Sequence, residues 1–125
     1  MGEKKKKVVL SGMRPTGPLH LGHLAGALRN WLKFQEEYKC YYTIVTWHAF
    51  SSEYQNSKVI KDYTFEVAVD WLSTGLDPKK SVLFVQSDIK EHAELHLLLS
   101  MVIPLPWLQR VPTFKEMQRE LPDKD

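Results

Sequence analysis

Two histidines three positions apart, His20 and His23, enclose a leucine and a glycine in His20-Leu21-Gly22-His23. Imidazoles at i and i+3 of a helix share a face, and each can donate a hydrogen bond to a phosphoryl oxygen. An apolar run, Val8-Val9-Leu10, and a turn punctuated by Gly12, Pro15, Gly17 and Pro18 precede them. A strongly periodic helical pattern follows. A strand, a glycine-containing loop and a helix N-terminus in that order make a site for anionic phosphate. First-turn N–H groups there are unpaired, and the helix dipole adds about half a positive charge. Gly12 and Gly17 are expected to allow close backbone approach, and Gly22 to keep the floor of the site free of a Cβ. The pattern predicts a nucleotide-phosphate site made of donors and glycines, without an acid–base pair.

Other chemistry-bearing residues are weaker candidates. His92 and His96 stand i, i+4, but HAELH lacks the glutamate position of a zincin and shows no third ligand. No metal site is assigned, and an exposed polar face is expected there. Cys40 has neither a CxxC partner nor a neighbouring histidine, so it reads as a packed thiol. Trp31 and Trp71 fall on apolar helix faces and are expected in the core, with Trp107, between prolines, left open. Arg110, Lys115 and Arg119 read as a solvated charged face rather than an RNA contact.

The elements that position these residues alternate. Lys7–Leu10 reads as a short buried strand, and residues 21–38 as a helix with Leu21, Leu24, Ala25, Leu28, Trp31 and Leu32 on one face. Tyr41–Val45 is a second strand, and Thr46–Ser52 a loop at its carboxyl end, where ligands gather in open parallel sheets. A helix over 58–74, capped by Asn56 or Ser57, has Val59, Tyr63, Val67, Asp70 and Trp71 near one stripe and Gly75 as its C′ residue. Residues 81–86 form the third strand. Asp88 and Glu91 resemble a capping box opening a helix to about Ile103, ended by Pro104 and Pro106. Thr113 and Glu116 repeat that pattern for a last short helix, stopped by Pro122. The fold class is α/β: a Rossmann-like three-stranded parallel β-α-β-α-β half-fold followed by helices.

Composition sets outer bounds. The 125 residues, 43% apolar, suffice for one domain with a real core. A net charge of +2 gives no global field for nucleic acid, and Lys4–Lys7 is a local basic patch of the kind found on mobile N-termini. One cysteine fits a reducing cytosol, and no apolar run reaches the roughly 18 residues of a membrane span, so a cytoplasmic chain with no membrane partner is expected.

GMRPTGPLHLGHLAGALRNW resembles the HIGH-type signature of class I aminoacyl-tRNA synthetases, in the form carried by the tryptophanyl and tyrosyl enzymes. The spelling is closest to the tryptophanyl family, and TWHAFSSEY and FVQSDIKEHAELHLLLS are similar to it too. The resemblance covers about Val8 to Glu120. It implies ATP-dependent activation of tryptophan to tryptophanyl-adenylate and transfer to tRNA(Trp), with ATP and Mg²⁺ as cofactors. It further implies ATP contacts from Arg14, Pro15, Thr16, Gly17, His20, Gly22 and His23, with His20 and His23 the catalytic pair. Leu10, Gly12 and His48 become the expected contacts to the amino acid, and the full-length family is expected to be a homodimer. Residues 1–7 would be a basic tail, 8–88 the first half of the nucleotide-binding fold, and 89–125 the start of a helical connecting insertion.

Three departures from the family pattern accompany the likeness. A KMSKS-like loop is absent, the second half of the nucleotide fold and an anticodon-binding domain are absent, and Thr46 stands where an acidic residue is usual. The expectation is therefore an N-terminal portion of a tryptophanyl-type synthetase, with activation by this chain alone in question. The alternatives are a tyrosyl-type synthetase fragment, an HxGH nucleotidylyltransferase, and a non-catalytic ATP-binding or assembly module.

Overall fold

In a computed structural model, which describes residues 6–120, three strands form one parallel sheet in the order β1-β2-β3. The strands are β1 (Val8–Met13), β2 (Lys39–Ile44) and β3 (Ser81–Val85). The register pairs Met13 with Ile44 and Ile44 with Val85, so all three carboxyl ends lie along one edge. The chain divides into two compact units, Met1–Ile89 and Lys90–Asp125.

β1 runs three residues beyond the apolar run that marks it in sequence. Ser11, Gly12 and Met13 stay in the ladder against Tyr42, Thr43 and Ile44 rather than turning away. A Cβ on Gly12 would lie 2.8 Å from Val45 Cγ1 and 2.9 Å from Thr43 Cγ2, so glycine here gives strand-to-strand fit. Along β2, Cys40, Tyr42 and Ile44 alternate onto one face with Val9 and Met13 of β1. Helices α2 (Arg29–Glu37) and α4 (Lys58–Ser73) cover that face, delivering Trp31, Val67 and Trp71 to the core, and Leu28, just before α2, joins them. The Trp31 indole stacks on the Tyr42 ring at 4.4 Å and meets Trp71 edge-on at 5.2 Å. The Tyr42 hydroxyl donates to the Trp31 carbonyl at 3.1 Å. Cys40 is buried in the same cluster, a packed thiol.

α4 buries Ile60 beside Val67 and Trp71, a position outside the stripe expected from sequence; Val59 and Tyr63 are half-buried. Ser57 occupies the cap position but makes no side-chain cap, because a 3-10 turn over Tyr54–Asn56 already leads into the helix. Its end follows expectation. Gly75 takes φ +102°, its N–H donates to the Leu72 carbonyl, and the Leu76 N–H donates to the Trp71 carbonyl. Gln35 of α2 ties down this turn, donating to the Gly75 carbonyl and accepting from the Asp77 N–H.

Thr46–Ser52, expected as a loop, is a helix, α3 (Thr46–Glu53). The expected Asp88 cap is also replaced: residues 86–88 form a 3-10 turn, and α5 (Glu91–Val102) starts at Glu91 without a side-chain cap. α6 (Leu105–Leu108) contains Pro106 in its first turn, where a missing N–H costs nothing. α7 (Pro112–Glu120) begins one residue before Thr113, which places Thr113 inside the helix and not at the expected cap position, and Pro122 lies outside the described residues. The Lys4–Lys7 patch is described at Lys6 and Lys7 alone. In the second unit Leu95, Leu97, Leu98, Met101, Val102 and Trp107 are all exposed, and so are Arg110, Lys115 and Arg119. No described helix is long and apolar enough to cross a membrane.

Candidate nucleotide and amino-acid site

The chain leaves β1 at the sheet's carboxyl edge through Arg14, Pro15 and Thr16, with the Val45 N–H donating to the Met13 carbonyl at 3.0 Å. Pro15 is fully buried and anchors the loop, whereas Arg14 and Thr16 are exposed. Gly17 has open space around it: a Cβ there would meet nothing within 4 Å. The close approach expected of Gly17 is therefore not to protein.

His20 is extended, at φ −131° and ψ 172°, and caps the helix that follows. Its Nδ1 accepts the Gly22 N–H at 3.1 Å, while the His23 Nδ1 accepts the His20 N–H at 3.2 Å. The pair is reciprocal, like a capping box built from two imidazoles, with ring centroids 4.0 Å apart. An Nδ1 that accepts a hydrogen bond is unprotonated, so each neutral ring carries its proton on Nε2. Both side chains thus offer an Nε2–H donor while their other nitrogen is spent on the backbone. Gly22 makes this possible, because a Cβ there would stand 2.8 Å from His20 Cε1 and 2.9 Å from its Nδ1.

α1 (Leu21–His23) passes directly into a π-helical turn over Leu24–Leu28, and then into α2. Wider turns of this kind are rare and are frequently found at functional sites. The Asn30 side chain donates to the Gly26 carbonyl at 2.9 Å, satisfying an acceptor within the π segment. His20 also lines a cavity of about 460 Å³ with Leu19, Leu24, Leu28, Asp70, Ser73 and Thr74. Asp70, the polar break in the α4 stripe, faces it, and no lysine or arginine does, so this hollow does not suit a phosphate.

The expected amino-acid contacts divide between strand and helix. Leu10 and Gly12 lie on one face of β1, opposite Tyr41 and Thr43; Leu10 is 66% exposed, whereas Thr43 is buried. His48 sits in the first turn of α3, its Nδ1 against the Gln86 carboxamide. β1 and β2 end side by side, so the loop Arg14–His23 and the turn Thr46–His48 leave the same edge of the sheet. Thr46 occupies the position where a carboxylate was expected, and its hydroxyl accepts the Ser87 N–H at 3.3 Å. Sequence reasoning missed Gln86, since nothing local marks a glutamine at a strand end. Among the described residues no group of three or more His, Cys, Asp and Glu could hold a metal ion, and His92 and His96 are exposed.

The sequence profile of the class I tRNA synthetases of the W and Y type matches residues 3–124. The chain belongs to this family. It is 52% identical over 117 residues to the tryptophan–tRNA ligase of Ralstonia nicotianae, covering 94% of the chain and 29% of that enzyme. To the tryptophan–tRNA ligase of Thermotoga maritima it is 53% identical over 118 residues, covering 94% and 36% respectively. Its fold matches the tryptophanyl-tRNA synthetase of Campylobacter jejuni, solved as a complex with ADP and tryptophan, at a TM-score of 0.83. There the identity is 35%, with 90% of this chain and 35% of that one covered. The tyrosyl-tRNA synthetase of Archaeoglobus fulgidus shares the fold, at a TM-score of 0.73 and 19% identity. The chain spans about a third of the length of these synthetases.

Proposed function

We propose that this chain holds the ATP-facing half of a tryptophan-activating site. The observation that carries the reading is the reciprocal His20–His23 cap, which leaves two Nε2–H donors on a helix start directly after a parallel strand. In a family that activates amino acids, such donors suit the phosphates of ATP. The carboxylate of tryptophan would attack the α-phosphorus, forming an acyl–phosphate bond as the α–β bridging bond breaks and pyrophosphate leaves. No protein nucleophile is required; the chain positions both substrates and stabilises the charge that builds on the transferring group. His20 and His23 donate to it, with the backbone of Arg14, Pro15, Thr16, Gly17 and Gly22 lining the approach. Mg²⁺ would travel with the ATP phosphates and water, which asks for no protein ligand cluster.

Leu10, Gly12 and His48 are proposed to meet the amino acid, Gly12 through its exposed backbone. Residues 8–88 then act as the first half of a nucleotide-binding fold and 89–125 as the start of a connecting insertion. tRNA(Trp) as acceptor and a homodimeric assembly follow from the family resemblance, and the exposed leucines of α5 offer apolar surface for protein contact. Tryptophan is preferred over tyrosine because the relatives near 50% identity are tryptophan–tRNA ligases.

The test is amino-acid-dependent ATP–pyrophosphate exchange by the purified chain with tryptophan, tyrosine or neither. Exchange with tryptophan alone, abolished by joint His20→Ala and His23→Ala replacement, supports activation by this half-site. No exchange, with ATP bound in a histidine-dependent way, restricts the reading to binding. Neither exchange nor binding refutes it.

A further inference from the structure

Gln86 opens the 3-10 turn directly after β3, and it is 6% exposed. Its Oε1 accepts the Trp47 N–H at 3.1 Å. That N–H belongs to the first turn of α3, whose N-cap residue, Val45, has no side chain able to satisfy it. The cap therefore comes from the 3-10 turn that follows β3, 39 positions away in the chain. This bond also fixes which end of the carboxamide is oxygen. The amide nitrogen then faces His48, with Nε2 3.0 Å from the His48 Nδ1. Oε1 lies 3.1 Å from the same nitrogen and keeps a second lone pair beside the Trp47 bond, so the demand of the buried amide N–H decides between the two ring tautomers. A buried amide N–H needs an acceptor, and the His48 Nδ1 is the one it has. The reciprocal strap from Ser87 N–H to Thr46 Oγ1 holds the two strand ends together around this contact.

We propose that Gln86 is a positioning residue that sets His48 in its Nε2–H form, so that the ring presents a hydrogen-bond donor to the carboxylate of the amino-acid substrate. The role differs from that of Asn30 or Gln35, whose amides serve backbone alone. The spent Nδ1 matches His20 and His23, so in this tautomer all three imidazoles carry their proton on Nε2. A donor at His48 suits a carboxylate, the reacting group of the amino acid, and repels no part of it. The substrate half of this inference rests on the tryptophan-activation reading, whereas the tautomer half does not.

The experiment is long-range ¹H–¹⁵N correlation on the histidine-labelled chain near neutral pH, which distinguishes a bare imidazole nitrogen from a protonated one. The result expected is a bare Nδ1 and a protonated Nε2 at His48. A protonated Nδ1 in the wild-type chain overturns the proposal without any variant. Gln86→Glu keeps an acceptor for the Trp47 N–H but supplies no donor, so it should move the His48 proton to Nδ1; an unchanged tautomer in a folded variant also overturns it. Tryptophan affinity, measured calorimetrically, should fall about tenfold in Gln86→Glu, as loss of one good hydrogen bond implies. A tautomer that moves while tryptophan affinity does not removes the carboxylate contact and retains the positioning. If the wild-type chain binds no tryptophan at all, the activation reading fails and the tautomer result stands by itself.

Discussion

Replacing Gly22 with alanine should separate the stability of this chain from its site. The new Cβ would come within 2.8 Å of His20 Cε1 and 2.9 Å of Nδ1, well inside ordinary contact. His20 is exposed, so its ring can swing aside more cheaply than the helix can shift. Swinging breaks the Nδ1 cap on the residue-22 N–H, worth about 1 kcal/mol. Alanine in place of glycine inside a helix returns roughly 0.5–1 kcal/mol. The two effects nearly cancel, and Tm should move by no more than about 3 °C. Binding has no such compensation. A hydrogen bond to a charged phosphoryl oxygen is worth about 1.5–3 kcal/mol, so ATP affinity should fall about ten- to a hundredfold. Gly17→Ala is the control for the fold alone, since its Cβ meets no protein atom within 4 Å, and it should leave Tm unchanged. Thermal melting and calorimetric ATP titration of the three chains give the answer. Unchanged ATP affinity in Gly22→Ala, or a Tm loss well above 5 °C, would refute the reasoning.

Three further expectations concern stability. Thr43→Val should raise stability by about 1 kcal/mol in chemical denaturation, because the buried Thr43 hydroxyl has no partner among the described residues and valine keeps its shape. Gly75→Ala should cost about 1 kcal/mol or more, read the same way, because φ of +102° strains any Cβ-bearing residue. Burial, helped by the Cys40 thiol, pushes the Tyr42 hydroxyl above its usual value. The unfolded chain therefore ionises first, and Tyr42 contributes stability that is intact below about pH 10 and is lost as pH rises above it. Tyr42→Phe should flatten that alkaline decline while losing about 1 kcal/mol at neutral pH from the bond to the Trp31 carbonyl; an unaltered alkaline slope would contradict the burial argument.

The parts of the fold written in local pattern were legible from sequence. Helical spacing placed Trp31 and Trp71 in the core, and Gly75 announced the end of α4 through its positive φ. What escaped was specified across the chain. α3 lacks any local cap, and its first-turn N–H is satisfied by Gln86, so TWHAFSSE reads as a loop until β3 is beside it. Gly12 looks like a turn residue, yet the Val45 and Thr43 side chains pressing on it make it a strand residue. The Asp88 cap gave way to a 3-10 turn, in which Ser87 reaches Thr46. At the site, histidine spacing pointed to donors, but only the geometry showed that Nδ1 is spent on each ring. That detail is a tertiary one, because side-chain torsions and not spacing select the nitrogen that faces the backbone.

The most direct test of the central claim is an ATP titration of the ¹⁵N-labelled chain, following backbone amides and imidazole Nε2–H signals together. The account predicts saturable shifts concentrated at Arg14–His23, with the His20 and His23 Nε2–H resonances moving and their Nδ1 signals remaining those of bare acceptors. Shifts elsewhere with these two rings untouched, or no saturable shifts at all, would contradict it.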